Sequence, residues 1–423
     1  MERLYDKLKA YSESDFYAFH MPGHKRNKAL LGIELPYDLD ITEIDGFDDL
    51  HHADGILKEE QERAARVFGA EESHFLVNGS TAGILSAVMG CTHRGDKILV
   101  ARHCHKSIYH AIYMNGLVPR YVYPEFDISM HMNGEISKED VAKALAAEPD
   151  IKAVVIVSPN YDGVVSDVKG IAEVAHSYRI PLIVDEAHGP HFGFHPAFPG
   201  RANDLGADVV INSLHKTLPS LTQTAILHIN GKLANRRRIK KYLDMLQSSS
   251  PSYIFMASLD ACVDFLDGKC EEAFELYVER LQKFREELKP LQHLQILRTE
   301  HYDISKVVIS TANANITSPE LADRLRKEYH LEMEMTGGTY VLAMTTVADT
   351  QEGLDRLKAA LLEIDGQLEA KTAVSESIEI SGELPRLEQY FTPQEAADRE
   401  EDGEAEEIPW KESEGHISLE YAY

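Results

Sequence analysis

From residue 56 onward the hydrophobic positions switch between two periods. "ILKEEQERAARVF" spaces its apolar residues as one helical face and stops at Gly69. "HFLVNGS" is a short apolar strand ending in a turn, and "TAGILSAVMG" opens an apolar helix directly after it. The chain continues through "KILVAR" as a strand and "KSIYHAIYMNG" as a helix closed by Gly116; "SKEDVAKALAA" follows, with Ser137 and Asp140 predicting a capping-box start. "AVVIVSP", "PLIVDEA", "DVVINS" and "AILHI" are continuous apolar runs, with "KGIAEVAHSYR" helical between the first two. Strands that lack polar alternation are covered on both faces, so the pattern predicts an α/β domain with a mostly parallel sheet.

The texture changes beyond residue 270. A long helix, "EEAFELYVERLQKFREELKPL", leads to the strand "KVVIST", the helix "SPELADRLRKEYH" with proline in its first turn, the strand "TYVLAM" and the helix "DTQEGLDRLKAALLEI". These predict a smaller α+β domain over residues 285–371, after an N-terminal arm (1–55) and a large domain (56–284). Residues 372–423 form an acidic extension in which "DREEDGEAEE" has the texture of a solvated loop.

Charge narrows the partners. Lys and Arg number 43 against 70 Asp and Glu, a formal net charge of −27. That opposes nucleic acid or an anionic membrane surface and suits a cationic small molecule. Cys91, Cys104, Cys262 and Cys270 form no CxxC pair, which suits reduced thiols. The polar "MERLYDKLKAYSESD" does not have the pattern of a signal peptide, and no apolar run approaches the roughly 20 residues that span a bilayer. A cytoplasmic protein is expected.

Ligands of an open parallel sheet bind at the carboxyl ends of its strands. Asn78-Gly79-Ser80-Thr81-Ala82-Gly83 lies at one such end, running into a helix whose free N–H groups and two hydroxyls would cradle a phosphate. His103 and His105 follow the next strand, Ser158-Pro159-Asn160-Tyr161-Asp162-Gly163 another, then Asp185-Glu186-Ala187-His188, then Ser213, His215 and Lys216. Each piece has an ordinary explanation: Ser and Thr cap helices, and lysines at strand ends are usually solvated. "VDEAH" resembles a nucleotide motif of helicases, but its partner GxxxxGK[ST] is absent from the chain. His188, His191 and His195, with His51 and His52, raise a metal site; Pro190 interrupts their spacing and no HExxH set appears, so no metal is expected. A pyridoxal phosphate site uses every strand end. That cofactor needs a phosphate cradle (Ser80, Thr81), a ring plate (His105), a carboxylate on the pyridine nitrogen (Asp185) and a lysine for the aldehyde (Lys216). Ser213 and His215 flank the lysine and would add phosphate donors.

The strings "FHMPGHK", "DITEIDGFDDLHHADGILKEEQERAARVFGA", "FLVNGSTAG", "RHCHKS", "SPNYDGVVSD", "VDEAHGPHFGFH" and "SLHKTLPSLTQTA" together resemble the Orn/Lys/Arg decarboxylase family, in its short form without an N-terminal wing domain. The resemblance implies the aspartate-aminotransferase fold, fold type I of pyridoxal phosphate enzymes, and decarboxylation of a basic amino acid, arginine before lysine or ornithine. It implies that Lys216 forms the Schiff base, Asp185 binds the pyridine nitrogen and His105 stacks on the ring. It also implies that Ser80, Thr81, Ser213 and His215 hold the phosphate, that His188 lies close by, and that a homodimer completes the site near His20, His24 and Lys25. The family pattern continues past "GHISLEYAY", so the chain is expected to be short at its C-terminal end. Another pyridoxal phosphate reaction, such as transamination or elimination, and a non-catalytic truncated paralogue are the alternatives.

Overall fold

A computed structural model describes residues 2–127, 132–297, 301–371, 388–408 and 415–418. The strands of the first part are β1 (Glu72–Leu76), β2 (Lys97–Ala101), β3 (Val118–Val122), a hairpin of β4 (Phe126–Asp127) and β5 (Met132–Asn133), β6 (Val154–Val157), β7 (Leu182–Asp185), β8 (Val209–Asn212) and β9 (Ala225–Ile229). Seven form one sheet in the order β1-β9-β8-β7-β6-β2-β3. β8, β7, β6, β2 and β3 are parallel neighbours, while β9 runs against its neighbours β8 and β1. The expectation of a mostly parallel α/β sheet therefore holds.

The burial explains the unbroken apolar runs. Val154, Ile156, Leu182, Val184 and Val210 pack on one face of the sheet; Val155, Ile183, Val209 and Ile211 pack on the other. Successive side chains point to opposite faces, so a strand covered twice has no polar position to show. The helices are α1 (Leu4–Ser12), α2 (Ile56–Val67), α3 (Gly79–Cys91), α4 (Lys106–Asn115), α5 (Lys138–Ala147), α6 (Val168–Ser177), the one-turn α7 (Leu214–Thr217), α8 (Arg236–Leu246), α9 (Tyr253–Leu266) and α10 (Glu271–Glu287). α3, α4 and α8 cover the first-described core's opposite face, and α5 and α6 cover the other. α8 and α9 have no counterpart in the sequence reading. α8 packs Ile239 and Leu243, with the half-buried Tyr242 and Leu246 beside them, on the core, one helical face set in a run of Arg and Lys.

A second sheet, ordered β10-β11-β13-β12, is antiparallel throughout: β10 (Gln295–Ile296), β11 (Lys306–Ser310), β12 (Met335–Thr336) and β13 (Tyr340–Met344). α11 (Ser318–Tyr329) and α12 (Gln351–Asp365) share its core. α10 serves both parts, since Phe274, Tyr277 and Leu281 pack with the large core and Phe284 with the small one.

Two local expectations need correction. Ser137 accepts the N–H groups of Glu139 and Asp140, but Asp140 bonds Lys143 instead of reaching back. Its side chain is one methylene shorter than the Glu or Gln that closes a capping box. The acidic run is not all loop either: a final helix, α13 (Pro393–Glu401), begins with a complete Thr392–Glu395 capping box and takes in Asp398 to Glu401. No helix among the described residues is long and apolar enough to cross a membrane.

Candidate functional site

β7 and β8 are parallel neighbours, and their carboxyl ends deliver Asp185 and Ser213 to one edge. The loop after β7 is held by Glu186, whose carboxylate accepts the Ala202 N–H at 2.8 Å and Asn212 Nδ2 at 3.0 Å. That anchoring carries His188 over the edge. After β8, the single turn of α7 lifts Lys216 into the same space. Lys216 Nζ and His188 Nε2 are 2.8 Å apart.

The electrostatics match a reactive amine. Burial pushes Lys216 down from the ordinary lysine range, against the pull of Asp185 and Glu334. Burial pushes Asp185 up, and Lys216, the Ala187 N–H and His105 only partly offset it. His105 caps α4, accepting the Ser107 N–H through Nδ1 at 3.2 Å, within electrostatic reach of Asp185 and Lys216. Burial also lowers His105 and His215. His215 donates through Nδ1 to the Thr224 carbonyl at 2.8 Å, which leaves Nε2 for another partner. Ser213 is fully buried, and its Oγ has no hydrogen-bond partner. Ser80 is half-buried and Thr81 exposed in the first turn of α3, which starts on Gly79 at φ +74 with no side-chain cap from Asn78.

Buried hydroxyls are nearly always bonded, so the orphaned Ser213 Oγ marks a place for an acceptor. Asp185, a buried carboxylate with too little positive charge around it, suits a protonated ring nitrogen. These residues fit pyridoxal phosphate. His20, His24 and Lys25 bond within the N-terminal segment, to Tyr11, Asp40 and the His20 carbonyl. The histidines raised as metal ligands diverge: His191 bonds Thr217 and Asp303, His195 bonds Glu275, and His51 bonds the Ser248 carbonyl.

The fold gives partners to Tyr161 and Asp162 of the strand-end string and adds residues that sequence reasoning missed, Glu334, Tyr340, Lys306 and Asp303. Tyr161 sets its ring 4.6 Å from that of His188 and donates its hydroxyl to Glu334. Tyr340 donates to Asp162 at 2.6 Å. Lys306, at the start of β11, is fully buried with Nζ 3.2 Å from His188 Nδ1. Asp303 accepts from His191 at 3.1 Å and from Ser305 Oγ at 2.7 Å. Nothing local announces Lys306 or Asp303, which stand more than a hundred residues from their histidines.

The family model "Orn/Lys/Arg decarboxylase, major domain" matches residues 3–369. The chain belongs to this family. It is 34% identical over 434 residues to an arginine decarboxylase of Bacillus subtilis (strain 168), covering 99% of this chain and 87% of that protein. The constitutive lysine decarboxylase of Escherichia coli (strain K12) is 28% identical over 313 residues, covering 67% of this chain and 43% of that one. The solved E. coli constitutive lysine decarboxylase superposes with a TM-score of 0.80 at 21% identity over 98% of this chain and 72% of that chain. An alanine–glyoxylate aminotransferase of Nostoc sp. gives 0.59 at 15% identity, over 73% and 86%. The fold is that of the fold-type I enzymes, and family membership implies pyridoxal phosphate. Its relatives bear the names of decarboxylases of basic amino acids.

Proposed function

We propose that this decarboxylase-family chain uses pyridoxal phosphate to convert a basic amino acid, arginine before lysine or ornithine, to its amine and carbon dioxide. The observation that carries the reading is Lys216: a half-buried lysine hydrogen-bonded to His188, within electrostatic reach of the buried Asp185 and pushed by burial below the ordinary lysine range. When bound, the cofactor supplies an aldehyde for the amino group and a ring that takes the electron pair left as carbon dioxide departs. Lys216 supplies the amine that ties the aldehyde. Asp185 would hold a proton on the ring nitrogen, His105 would serve as the ring's plate, and Ser80, Thr81, Ser213 and His215 would donate to the phosphate. His188 hydrogen-bonds the amine of Lys216. The buried strands behind them exclude water and fix the geometry, which is where the protein's share of the rate comes from.

A cationic side chain is favoured by Glu334 and Tyr161 at the exposed rim and by Asp162 behind them. Arginine is favoured because relatives named arginine decarboxylase align over 99% of the chain at 31–34% identity. The test is release of carbon dioxide and amine from arginine, lysine and ornithine, with borohydride fixing the cofactor to Lys216. No release from any of the three would refute the reaction; keto-acid formation would replace it with transamination; bound cofactor with no turnover would leave a non-catalytic protein.

A further inference from the structure

Three helices meet at one guanidinium. Glu60 of α2 and Asp260 of α9 are both fully buried, and both carboxylates accept from Nη2 of Arg63. Two acceptors on one nitrogen are at most about 6 Å apart, twice a hydrogen-bond length. Oδ2 of Asp260 accepts the Leu4 N–H, the first of α1, at 3.0 Å. Oε1 of Glu60 is buried with no hydrogen-bond partner.

Arg63 cannot neutralise both carboxylates. Its Nη1 donates to a third, Asp264, at 3.2 Å. Asp264 is also met by Arg3 at 3.0 Å and Lys269 at 2.7 Å, and Arg3 is shared with Asp6 of α1 at 2.9 Å. Burial would raise Asp264, but Lys269, Arg3 and Arg63 hold it below the usual carboxylate range, so it keeps its charge. The pair in α2 and α9 is thus left with one shared guanidinium against two dry carboxylates. Like charges that close in a dry site are not both held, and one carboxyl keeps its proton. Burial, and then Asp260, accordingly push Glu60 up to about 8, against the pull of Arg63. The proton belongs to the pair and not to either residue.

We propose that Glu60 and Asp260 share one proton as a latch on α1, and that its loss unseats α1 and loosens the N-terminal arm. With the proton in place, the pair is bonded to itself, to Arg63 and to the Leu4 N–H. Without it, two negative charges face one guanidinium nitrogen, and water is what relieves them. A cleft lined by Glu2, Arg3, Asp6, Arg63, Asp264 and Lys269 opens between the start of α1 and the end of α9 and reaches Arg63. α1 is the part that yields, because it buries only Leu4 and Leu8, whereas α2 and α9 bury six and eight residues. The arm follows α1. Tyr11 bonds His20 Nε2 at 2.9 Å, carries Arg26 over its ring at 4.4 Å and meets Phe47 edge-on at 5.4 Å.

The folded pKa of the pair lies above the unfolded carboxyl value of about 4.3. The latch is therefore at full strength below that value and is lost as pH rises through the folded one. Between the two, each pH unit multiplies the opened fraction by about ten, because opening releases one proton. Amide hydrogen exchange of the full chain, read by mass spectrometry and corrected for the intrinsic rate at each pH, measures the opening of each helix. Protection in α1 should fall about tenfold per unit from about pH 5 and level off above about 8, while α2 and α9 stay protected. Glu60→Gln leaves one charge for Arg63, so the slope should vanish, with α1 better protected than wild type at pH 8. Asp260→Asn should also abolish the slope, its amide oxygen still accepting the Leu4 N–H. Leu8→Ala weakens packing alone, and should lower protection at every pH while keeping the slope. A flat wild-type profile in α1 would overturn the proposal, as would a Glu60→Gln protein that keeps the slope. Exchange of α1, α2 and α9 together would also overturn it, since the whole molecule would then be opening. If neither carboxyl variant folds, the wild-type profile alone decides.

Discussion

Asp303 offers the sharpest test of how the two sheets are held to the site. Its carboxylate is fully buried and accepts from His191 Nε2 at 3.1 Å, Ser305 N–H at 2.9 Å and Ser305 Oγ at 2.7 Å. His191 in turn meets Thr217 Oγ1 at 3.0 Å, one residue beyond Lys216. Asp303→Ala leaves three buried donors without their acceptor, at about 1–3 kcal/mol each before relaxation. Water entry and rearrangement bring the total to about 3–5 kcal/mol, the cost of removing one member of a buried pair. At about 2–4 °C per kcal/mol for a unit of this size, calorimetry should show a melting temperature roughly 10 °C lower. Asp303→Asn keeps the shape and one acceptor oxygen, so about a third of that loss is expected. The acid limb discriminates further. His191 and Ser305 outweigh burial and depress the folded pKa of Asp303, so its stabilisation is present above the unfolded value of about 3.9 and is lost as pH falls through the lower, folded value. Wild type should lose stability steeply there, and Asp303→Asn more gently. An Asp303→Ala protein melting within about 1 °C of wild type would refute the account of this pair as the tie between α7 and the segment before β11.

Three further outcomes follow from the same geometry. Ser213→Ala removes a buried hydroxyl that has no partner, so cofactor-free stability should hold or rise slightly while spectrophotometric titration shows cofactor binding weakened about tenfold. Burial raises Asp185, so its ionised form is disfavoured by folding and stability falls as pH rises through the folded value. Asp185→Asn should therefore be about 1 kcal/mol more stable than wild type above neutral pH without cofactor, while decarboxylation, followed by carbon dioxide release, collapses. In α3, Gly90 faces the backbone of Ile239 in α8, where a β-carbon would lie 2.9 Å from its N and Cα. The helix propensity gained by Gly90→Ala, about 1 kcal/mol, is smaller than the overpacking cost of about 1–3 kcal/mol, so chemical denaturation should show a net loss.

What was legible in the sequence was whatever a short window can carry. Val154–Val157, Leu182–Asp185 and Val209–Asn212 are unbroken apolar strings because both faces are covered, and Asp185, Ser213 and Lys216 stand at or just past the carboxyl ends of the last two. The opposite direction of β9 was not legible, because "AILHI" is as apolar as the parallel strands of the same sheet. Tyr161 was named only as part of a strand-end string, and Glu334 and Asp303 were passed over, because their partners lie far along the chain.

Lys216 and Lys306 show why the limit is physical. Both lysines adjoin an apolar strand, "DVVINSLHK" in one case and "KVVIST" in the other, and either would ordinarily be read as a solvated strand end. Lys216 escaped that reading because Asp185 sits on the neighbouring parallel strand and the "NGST" turn on another of the same sheet, an arrangement that strand order makes inferable. Lys306 begins a strand of a different sheet, and what turns it inward is the pairing of its preceding segment with Gly163 and the space left by that glycine's missing side chain. Burial then pushes Lys306 down to about 8, well below a solvated lysine at a strand end. A lysine's neighbourhood in sequence shows that it has an amine; only the surfaces folded against it decide whether that amine carries a proton.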